Sequence, residues 1–428
     1  MKVTLLSYGT RGDVQPFTAI GLALARRGHD VVVAAPHDHL EFVRSTGLQA
    51  MPLPGDSRRL LHGEHGAAWV RDGDALAGLR AVTATFEEHA DQAVLDAEAA
   101  TEDADVVVSG VLSAGFGRLH SERRGVPHVI AHTFPGLPSS EVHHAAVAVP
   151  AILPGPMRRA LGRAAFRVVW SLLRKYDDRA RARYGLPQGL PEPTAHHQRR
   201  GGHSLHLWSP SLVPKPADWG DKDHVTGFCL LPSTAREKLG EDAAARELEA
   251  FFDGGPPPFY LGLGSMPVLE PGRTVDMFVD VVDRLGQRAL IGGTFQDEAA
   301  VRARLSEGVR LVGRIDHDAV FPRCIGAVHH GGAGTTATSL RAGLPTFVAS
   351  VFGDQPFWGQ VVERHRVGCT EPFRRLDETR LLRGLERLLR PEVRERAAAL
   401  GERMRAETDG ATVAAEVIER VAARSRSR

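Results

Sequence analysis

Short apolar runs alternate with longer amphipathic segments along most of the chain. Residues 3–7 and 259–263 form apolar runs of the length of a buried strand. Residues 17–27 and 76–100 carry apolar side chains at helical spacing. Strands that alternate with helices predict parallel sheets, in which each helix connects one strand to the next. We therefore predict an α/β protein.

The alternation occurs in two series, which predict two domains. The first series starts at residue 3 and the second at residue 259. The stretch between them is typical of extended chain because prolines and tryptophans interrupt it, at Trp208, Pro210, Pro214, Pro216 and Trp219. We predict a first domain at residues 1–215, a linker at 216–232 and a second domain at 233–408. Each domain is expected to be a doubly wound, Rossmann-like parallel sheet, and the two are expected to face a cleft.

Composition and charge narrow the classes of partner. The formal net charge of the 428 residues is +1, which gives no electrostatic reason to expect binding of nucleic acid or of an acidic membrane. No apolar run approaches the ~20 residues of a membrane span. The cysteines are sparse and far apart (Cys229, Cys324 and Cys369), and a predicted strand begins almost at the N-terminus. We expect no signal peptide, no stable membrane insertion and a cytoplasmic location.

A glycine-rich turn lies between a predicted strand at 325–328 and a predicted helix at 335–342. A helix N-terminus has unpaired N–H groups and a partial positive charge, and glycines let an anion approach it closely. We therefore predict a phosphate-binding turn, formed by His330, Gly331, Gly332, Ala333, Gly334 and Thr335. The spacing differs from that of a GxxxxGK[ST] loop and from that of GxGxxG. Asp354 and Gln355 follow the next strand, where a carboxylate beside an amide suits sugar hydroxyls.

Asp13 is the candidate general base. Residues 9–16 read as the loop after the first strand, and the carboxyl ends of parallel strands are where ligands bind. A carboxylate there can take a proton from a reacting hydroxyl. A plain turn of a Rossmann-like domain, with no catalytic role for Asp13, is the alternative.

Other signals are weaker. Four DxD triplets occur, at residues 72–74, 103–105, 221–223 and 316–318, but no plausible third metal ligand accompanies them, so we expect no metal. The turn at 262–265 would let Ser265 contact a nucleotide. Residues 158–184 predict a long amphipathic helix whose apolar face, with Phe166 and Trp170, belongs either to the core or to the wall of an apolar pocket.

Two motifs resemble those of a known enzyme family. The sequence HHGGAGTT at 329–336, followed by GDQP at 353–356, resembles the donor-sugar signature of inverting, nucleotide-sugar-dependent glycosyltransferases of the GT-B fold. Within that superfamily, the resemblance is to bacterial sterol-glucosyltransferase-like and antibiotic-tailoring enzymes. A GxRGDxxP pattern of the family is matched at residues 9–16. The resemblance covers nearly the whole chain.

The resemblance implies a fold, a reaction and site residues. It implies a GT-B fold, with a C-terminal helix at 411–428 that returns to the first domain. It implies transfer of a hexose from a UDP- or TDP-sugar to a hydroxyl of a hydrophobic acceptor that is sterol-like, polyketide-like or another natural product. In the family Asp13 is the proposed base, the diphosphate lies at the 330–335 turn, and Asp354 with Gln355 holds the sugar. We add Gly12 as a donor contact and Phe134 and Trp170 as acceptor contacts, and we expect no metal and no other cofactor.

Two departures from the family affect recognition of the donor base. Many relatives have Trp-x-Pro-Gln where this chain has Arg314, Ile315, Asp316 and His317. Arg314 would have to stack on the base, or recognition would rest on the backbone of Ile315. Thr338 stands where plant relatives have a ribose-binding Glu. The choice between UDP and TDP donors therefore stays open.

Two other functions stay open from the sequence. A sugar-nucleotide epimerase of the same fold would need the donor site but no acceptor pocket, and it would convert the donor when no acceptor is present. A non-catalytic helper protein would keep the fold without the chemistry, which the presence of Asp13, His330, Asp354 and Gln355 disfavours. The sequence does not predict the oligomeric state.

Overall fold

The computed structural model describes residues 1–56, 75–142, 153–240, 248–262, 271–293, 295, 297–313 and 315–426. These residues form two compact units. The first unit combines described residues of 1–56 and 76–232 with 408–426, and the second comprises those of 233–407.

The strands of the first unit form one parallel sheet in the order β3-β2-β1-β4-β5-β6-β7. The strands are β1 Lys2–Leu6, β2 Asp30–Pro36, β3 Gln49–Leu53, β4 Val106–Gly110, β5 His128–His132, β6 His203–His206 and β7 Asp223–Val225. The helices are α1 Arg11–Arg26, α2 Leu40–Ser45, α3 Ala75–Ala100, α4 Ala114–Arg124, α5 Gly155–Arg183 and α6 Pro193–Arg199. A 3₁₀ turn at His37–His39 precedes α2.

The second unit also forms one parallel sheet, in the order β10-β9-β8-β11-β12-β13. The strands are β8 Phe259–Gly262, β9 Ala289–Gly292, β10 Val309–Val312, β11 Gly326–His329, β12 Thr346–Ser350 and β13 Gly368–Pro372. The helices are α7 Ser233–Lys238, α8 Glu249–Asp253, α9 Pro271–Arg284, α10 Glu298–Arg302, α11 His317–Val320, α12 Ala333–Arg341, α13 Gln355–Arg364, α14 Glu378–Leu389 and α15 Pro391–Arg405. Further 3₁₀ turns lie at Phe321–Arg323 and Phe373–Arg375.

Both sheets are buried parallel sheets, as their apolar strands require. Val3, Leu5 and Leu6 of β1 are fully buried, and β1 pairs in parallel with both β2 and β4. In the second unit β11 pairs in parallel with β8 and β12. The strand order reverses between β1 and β4 in the first sheet and between β8 and β11 in the second. The loops after β1 and β11 therefore lie where α/β sheets bind ligands. The prediction of two doubly wound, Rossmann-like parallel sheets is confirmed.

The last helix, α16 Gly410–Arg426, packs against α1 of the first unit. Glu419 on α16 forms an ion pair with Arg27, at 2.7 Å, and also approaches the ring of His29, at 2.7 Å. Hydrogen bonds from Arg27 and His29 favour the ionised carboxylate and lower the pKa of Glu419 to about 2. The C-terminal segment is therefore part of the first unit.

Strands β6 and β7 extend the first sheet with histidine-rich chain that the sequence pattern did not predict as strand. Nδ1 of His203 lies 3.0 Å from Nε2 of His224, and the two rings stack. His206 lies 3.3 Å from Asp223 and stacks on Trp219 at 4.2 Å. Strand β7 falls within residues 216–232, so this stretch includes an ordered edge of the sheet.

Candidate active site

Asp13 lies in the first turn of a helix. Residues 9–16 were predicted to form a loop, but α1 begins at Arg11, so that prediction was wrong. Thr10 has the extended backbone of an N-cap residue, and its side chain favours a helix start. Pro16 lies inside the helix without ending it.

The carboxylate of Asp13 is held by the residue that precedes the helix. Its Oδ2 accepts hydrogen bonds from the backbone N–H of Thr10, at 2.8 Å, and from the Thr10 hydroxyl, at 3.2 Å. Gly9 makes this possible: its φ is +138°, and a Cβ there would lie 2.3 Å from Asp13 Oδ2. The Oδ1 atom has no hydrogen-bond partner among the described residues. One oxygen is thus fixed by Thr10, and the other keeps its capacity to accept a hydrogen bond.

Burial raises the pKa of Asp13 to about 6, although the two hydrogen bonds from Thr10 act in the opposite direction. A carboxyl group with a pKa near 6 is still largely ionised at pH 7. It is also a stronger base than an exposed aspartate, which suits the removal of a proton from a hydroxyl.

In the second unit, His329 fixes the glycine turn after β11. Its Nδ1 accepts a hydrogen bond from the backbone N–H of Gly331 at 3.0 Å, and its Nε2 lies 3.1 Å from the Ser339 hydroxyl. Burial lowers the pKa of His329 well below its usual value, so the ring is neutral. Gly331 has φ +89°, and a Cβ there would lie 2.4 Å from Val348. His329 therefore has a structural role in this turn.

His330 lies beside the start of α12. A Cβ added to Gly332, the N-cap residue, would lie 2.5 Å from His330 Nε2. Burial lowers the pKa of His330 to about 4, so the ring is neutral at pH 7. Its buried Nδ1 has no hydrogen-bond partner among the described residues. A neutral imidazole with a hydrogen-bonding nitrogen left over can donate to a phosphate oxygen.

The N-terminus of α12 is open. Gly332 provides no side-chain cap, so the N–H groups of Ala333, Gly334 and Thr335 have no partner within the helix. A Cβ at Gly334 would meet nothing within 4 Å. The predicted phosphate-binding residues are thus consecutive around one helix terminus, and Ala333 and Gly334 belong to its first turn, since α12 begins two residues earlier than predicted.

Asp354 and Gln355 lie at the start of α13, and part of their hydrogen-bonding capacity serves the fold. Oδ2 of Asp354 accepts a hydrogen bond from the indole N–H of Trp358 at 2.7 Å. Oε1 of Gln355 accepts from the backbone N–H of Val351, at 2.8 Å, and of Phe352, at 3.2 Å. These bonds orient the Asp354 carboxylate and direct the Gln355 amide.

The residues predicted to contact the donor base are only partly described. Ser265 and Arg314 lie outside the described residues. Ile315 is buried in an apolar cluster with Tyr260 and Phe321. Its backbone N–H and C=O form no hydrogen bond within the described part of the chain. Thr338 is buried, and its hydroxyl donates to the carbonyl of Gly334 at 3.1 Å.

The DxD triplets that the structure describes have structural partners. Arg236 forms ion pairs with Asp316 at 3.2 Å and with Asp318 at 2.7 Å. The backbone N–H and the side chain of Lys2 bind Asp105 and Asp103. Asp223 accepts from Gly220 and interacts with His206. No group of three metal-ligating side chains occurs among these described residues, while the triplet at 72–74 lies outside them.

The predicted acceptor residues both lie in the first unit. Trp170 on α5 donates its indole N–H to the carbonyl of Leu190 at 3.1 Å, and Arg118 lies 5.7 Å from its ring. Phe134 is half-buried, two residues after β5. Gly12, predicted as a donor contact, is exposed in the first turn of α1.

Three supporting residues were not predicted from the sequence. Thr10 positions Asp13, and the spacing Thr-x-x-Asp of a helix start could have identified it. Trp358, four residues after Asp354, lies one helical turn away and could also have been inferred. Arg236 is separated by about 80 residues from Asp316 and Asp318, so no local signal could have identified its ion pairs.

Two family models match separate parts of the chain. Residues 3–143 match the glycosyltransferase family 28 N-terminal domain, and residues 290–423 match the C-terminal domain of erythromycin biosynthesis protein CIII-like proteins. Among solved structures, the glycotransferase of kitacinnamycin has a TM-score of 0.72 at 20% identity, covering 98% of both chains. The glycosyltransferase VinC, solved in complex with DTDP, has a TM-score of 0.69 at 18% identity and covers 99% of this chain and 100% of its own. These structures share the GT-B fold with this chain.

Curated relatives extend the likeness to the sequence. An uncharacterized glycosyltransferase of Mycobacterium leprae is 34% identical over 432 residues, covering 100% of this chain and 99% of its own length. A sterol 3-beta-glucosyltransferase of Arabidopsis thaliana is 32% identical, covering 98% of this chain and 68% of its own length. The resemblance predicted from the motifs is thus confirmed, and the chain belongs to the family of GT-B-fold glycosyltransferases that includes these relatives.

Proposed function

We propose that this glycosyltransferase inverts the anomeric centre as it moves a hexose from a UDP- or TDP-sugar to a hydroxyl of a hydrophobic acceptor. The acceptor class is a sterol-like, polyketide-like or other natural-product molecule. The observation that supports the donor most strongly is the open helix terminus at Gly332–Thr335 beside the neutral ring of His330. The sterol glucosyltransferase relative and the DTDP complex of VinC agree with this donor and acceptor class.

In the proposed reaction, Asp13 takes the proton of the acceptor hydroxyl as its oxygen attacks the anomeric carbon. The bond from that carbon to the diphosphate oxygen breaks, and the electron pair leaves with the nucleotide diphosphate. The N–H groups of the α12 terminus and a hydrogen bond from His330 stabilise the new negative charge. A single in-line displacement of this kind inverts the configuration.

No metal is required in this proposal, because the helix terminus and His330 take the place that a cation would occupy next to a diphosphate. Asp354 and Gln355 would hold the sugar hydroxyls. The amide of Gln355 can donate to hydroxyl oxygens, while the Asp354 carboxylate accepts hydroxyl protons.

A panel of UDP- and TDP-sugars, offered with sterol and polyketide acceptors, tests the proposal. Thermal stabilisation of the protein would first identify the donor, since a ligand that binds the folded state raises its stability. Product formation is then followed with and without EDTA, and NMR coupling constants of the new glycoside give its configuration. The expected result is an inverted glycoside at an unchanged rate in EDTA. Conversion of the donor without any acceptor would identify an epimerase, and loss of activity in EDTA restored by Mn²⁺ would identify a metal-dependent enzyme.

A further inference from the structure

Helix α5 carries an exposed apolar stripe on the side that faces away from its own unit. Of the six exposed large apolar side chains in the described chain, five lie on α5: Met157, Leu161, Val168, Val169 and Leu172. Four of them, at 53%, 43%, 60% and 44% exposure, share one helical face together with exposed Ala164, since residues 157, 161, 164, 168 and 172 follow helical spacing.

This stripe is distinct from the face that holds α5 in place. Tyr176 and Ala180 are buried, and Trp170 donates to the Leu190 carbonyl from roughly the opposite side of the helix. Removing the stripe's side chains from water would therefore not require α5 to leave its position. An exposed apolar patch of this kind marks an interaction surface.

The charges beside the stripe define what the partner must be. Residues 155–176 contain six basic and no acidic side chains. Arg163 and Arg167 are exposed and form no ion pair or hydrogen bond with any described residue. In contrast, Arg174, Lys175 and Arg179 further along the helix pair with Asp178, Glu87 and Asp91. Arg159, near the start of the helix, pairs with Asp218, so the unneutralised positive charge beside the stripe is that of Arg163 and Arg167.

A second copy of the chain is an unfavourable partner for this face. In a two-fold contact, Arg163 and Arg167 of one copy would lie opposite the same positive charges of the other. Five half-exposed side chains also provide less apolar area than the ~800 Å² per partner of a stable protein complex. An apolar stripe flanked by arginines on an interfacial helix instead fits the boundary between lipid headgroups and acyl chains. In the described part of the chain, no helix is both long and apolar enough to cross a bilayer.

We propose that α5 docks this glycosyltransferase on the surface of anionic lipid bilayers. The stripe at Met157–Leu172 enters the headgroup region, and Arg163 and Arg167 bind lipid phosphates. The formal net charge of +1 obscures this site because it averages a locally basic helix with acidic segments elsewhere. Docking would be reversible, and it does not depend on which sugar or acceptor the enzyme uses.

Flotation with vesicles tests the proposal on the full chain. The probes are vesicles of phosphatidylcholine alone and vesicles in which half is replaced by phosphatidylglycerol. We expect the protein to float with the anionic vesicles only, and added salt should release it. Arg163→Glu with Arg167→Glu should weaken partitioning about 25-fold or more, since each basic residue near an anionic surface contributes roughly fivefold.

A second variant and a matched control separate docking from general charge effects. Val168→Ser with Leu172→Ser keeps the arginines but removes apolar surface, and partitioning should fall about tenfold. The control, Arg364→Glu with Arg394→Glu, makes the same change of charge at two exposed arginines of the second unit that have no side-chain partner among the described residues. It should partition within about twofold of wild type.

Circular dichroism of each variant confirms that the fold is retained. The proposal is overturned if the wild-type protein does not float with anionic vesicles. Equal losses in the control and in the Arg163/Arg167 variant would also overturn it, because binding would then follow net charge alone. The proposal is also overturned if the wild-type protein forms an oligomer that the Val168→Ser, Leu172→Ser variant dissociates, since the stripe would then contact a second copy.

Discussion

Each unit has a turn that leads from a central strand into a helix, and the two helices start differently. At the start of α1, the carboxylate of Asp13 folds back onto Thr10, so the first turn carries its own negative charge. At the start of α12, Gly332 brings no side chain, and the first N–H groups remain open beside His330. The same helix dipole acts in both places. One terminus is satisfied from within and can present a base, while the other can accept an anion from a ligand.

The largest expected effect comes from removing the proposed base at the first of these turns. Asp13→Asn keeps the shape of the side chain and its bonds from Thr10 but loses the basic carboxylate. Turnover with saturating donor and a good acceptor should fall by roughly 10²-fold or more. Calorimetry with the nucleotide diphosphate is the control, and its affinity should change little, because the proposed phosphate-binding turn lies in the other unit.

Near-wild-type turnover of Asp13→Asn, with chemistry shown to be rate-limiting, would move the base elsewhere. His37 and His132 would then be tested. His37 is exposed, whereas His132 is fully buried and stacks on His206 with ring centroids 5.0 Å apart.

A negative charge placed at the start of α12 should make this helix terminus resemble that of α1, which carries its own carboxylate. Gly334→Asp has room for its side chain and adds a carboxylate at the α12 terminus. Stability should rise by about 1 kcal/mol, because glycine is unfavourable in a helix and the dipole favours the charge. Affinity for the nucleotide diphosphate should fall about tenfold or more by calorimetry, since the carboxylate repels it.

Gly334→Ala is the matched control, with a Cβ but no charge, and it should bind nearly as well as wild type. If alanine weakens binding as much as aspartate, bulk explains the loss and the dipole argument fails. If neither variant weakens binding, the diphosphate does not lie at this terminus.

Within the second unit, the phosphate and sugar roles should separate. His330→Ala should weaken binding of both the bare nucleotide diphosphate and the nucleotide sugar, since a phosphate contact is lost. Asp354→Ala should weaken the nucleotide sugar by about tenfold and leave the bare diphosphate nearly unchanged. Asp354→Asn is the companion variant, because it can still accept the hydrogen bond from Trp358. Equal losses for both ligands in Asp354→Ala would contradict the sugar role.

The smallest expected effect concerns how Thr10 tunes Asp13. The Thr10 hydroxyl favours the ionised carboxylate, so Thr10→Ala should raise the pKa of Asp13 above about 6. A base must be ionised to act, so kcat/KM falls below this pKa, and the acid limb should move to higher pH. The profile is measured with an acceptor that does not ionise over the range. Thr10→Ser should keep the wild-type limb, and an unmoved limb in Thr10→Ala would remove Thr10 from this role.

The sequence predicted most of the fold because its strands are apolar. The apolar runs at residues 3–7 and 259–263 correspond to strands β1 and β8, and the turn after β11 was found from its glycines. Strands β6 and β7 were missed because they consist largely of histidine, serine and aspartate, which do not form an apolar run. Their burial comes from stacked rings and from Trp208 and Trp219, contacts that the local pattern does not contain.

For the site, the sequence predicted which residues lie at the turns but not how they are used. The start of α1 at Arg11 could have been predicted from Thr10, because threonine is favoured at the N-cap of a helix, but residues 9–16 were interpreted as a loop. The side-chain carbonyl oxygen of Gln355 accepts hydrogen bonds from the loop at Val351 and Phe352. These bonds depend on a turn geometry that only the folded chain shows. The basic surface of α5 was also not predicted, because the net charge of the whole chain does not show where basic residues cluster.

The histidine-rich edge of the first sheet couples its unfolding to the uptake of protons. Burial lowers the pKa of His203 to about 4 and also lowers the pKa of His197, His206 and His224. In the unfolded chain these rings titrate near 6.5, so unfolding binds protons once the pH falls below that value. Stability of the first unit should therefore decline between about pH 6.5 and 4, and the edge formed by β6 and β7 should be among the first parts of the sheet to open in acid.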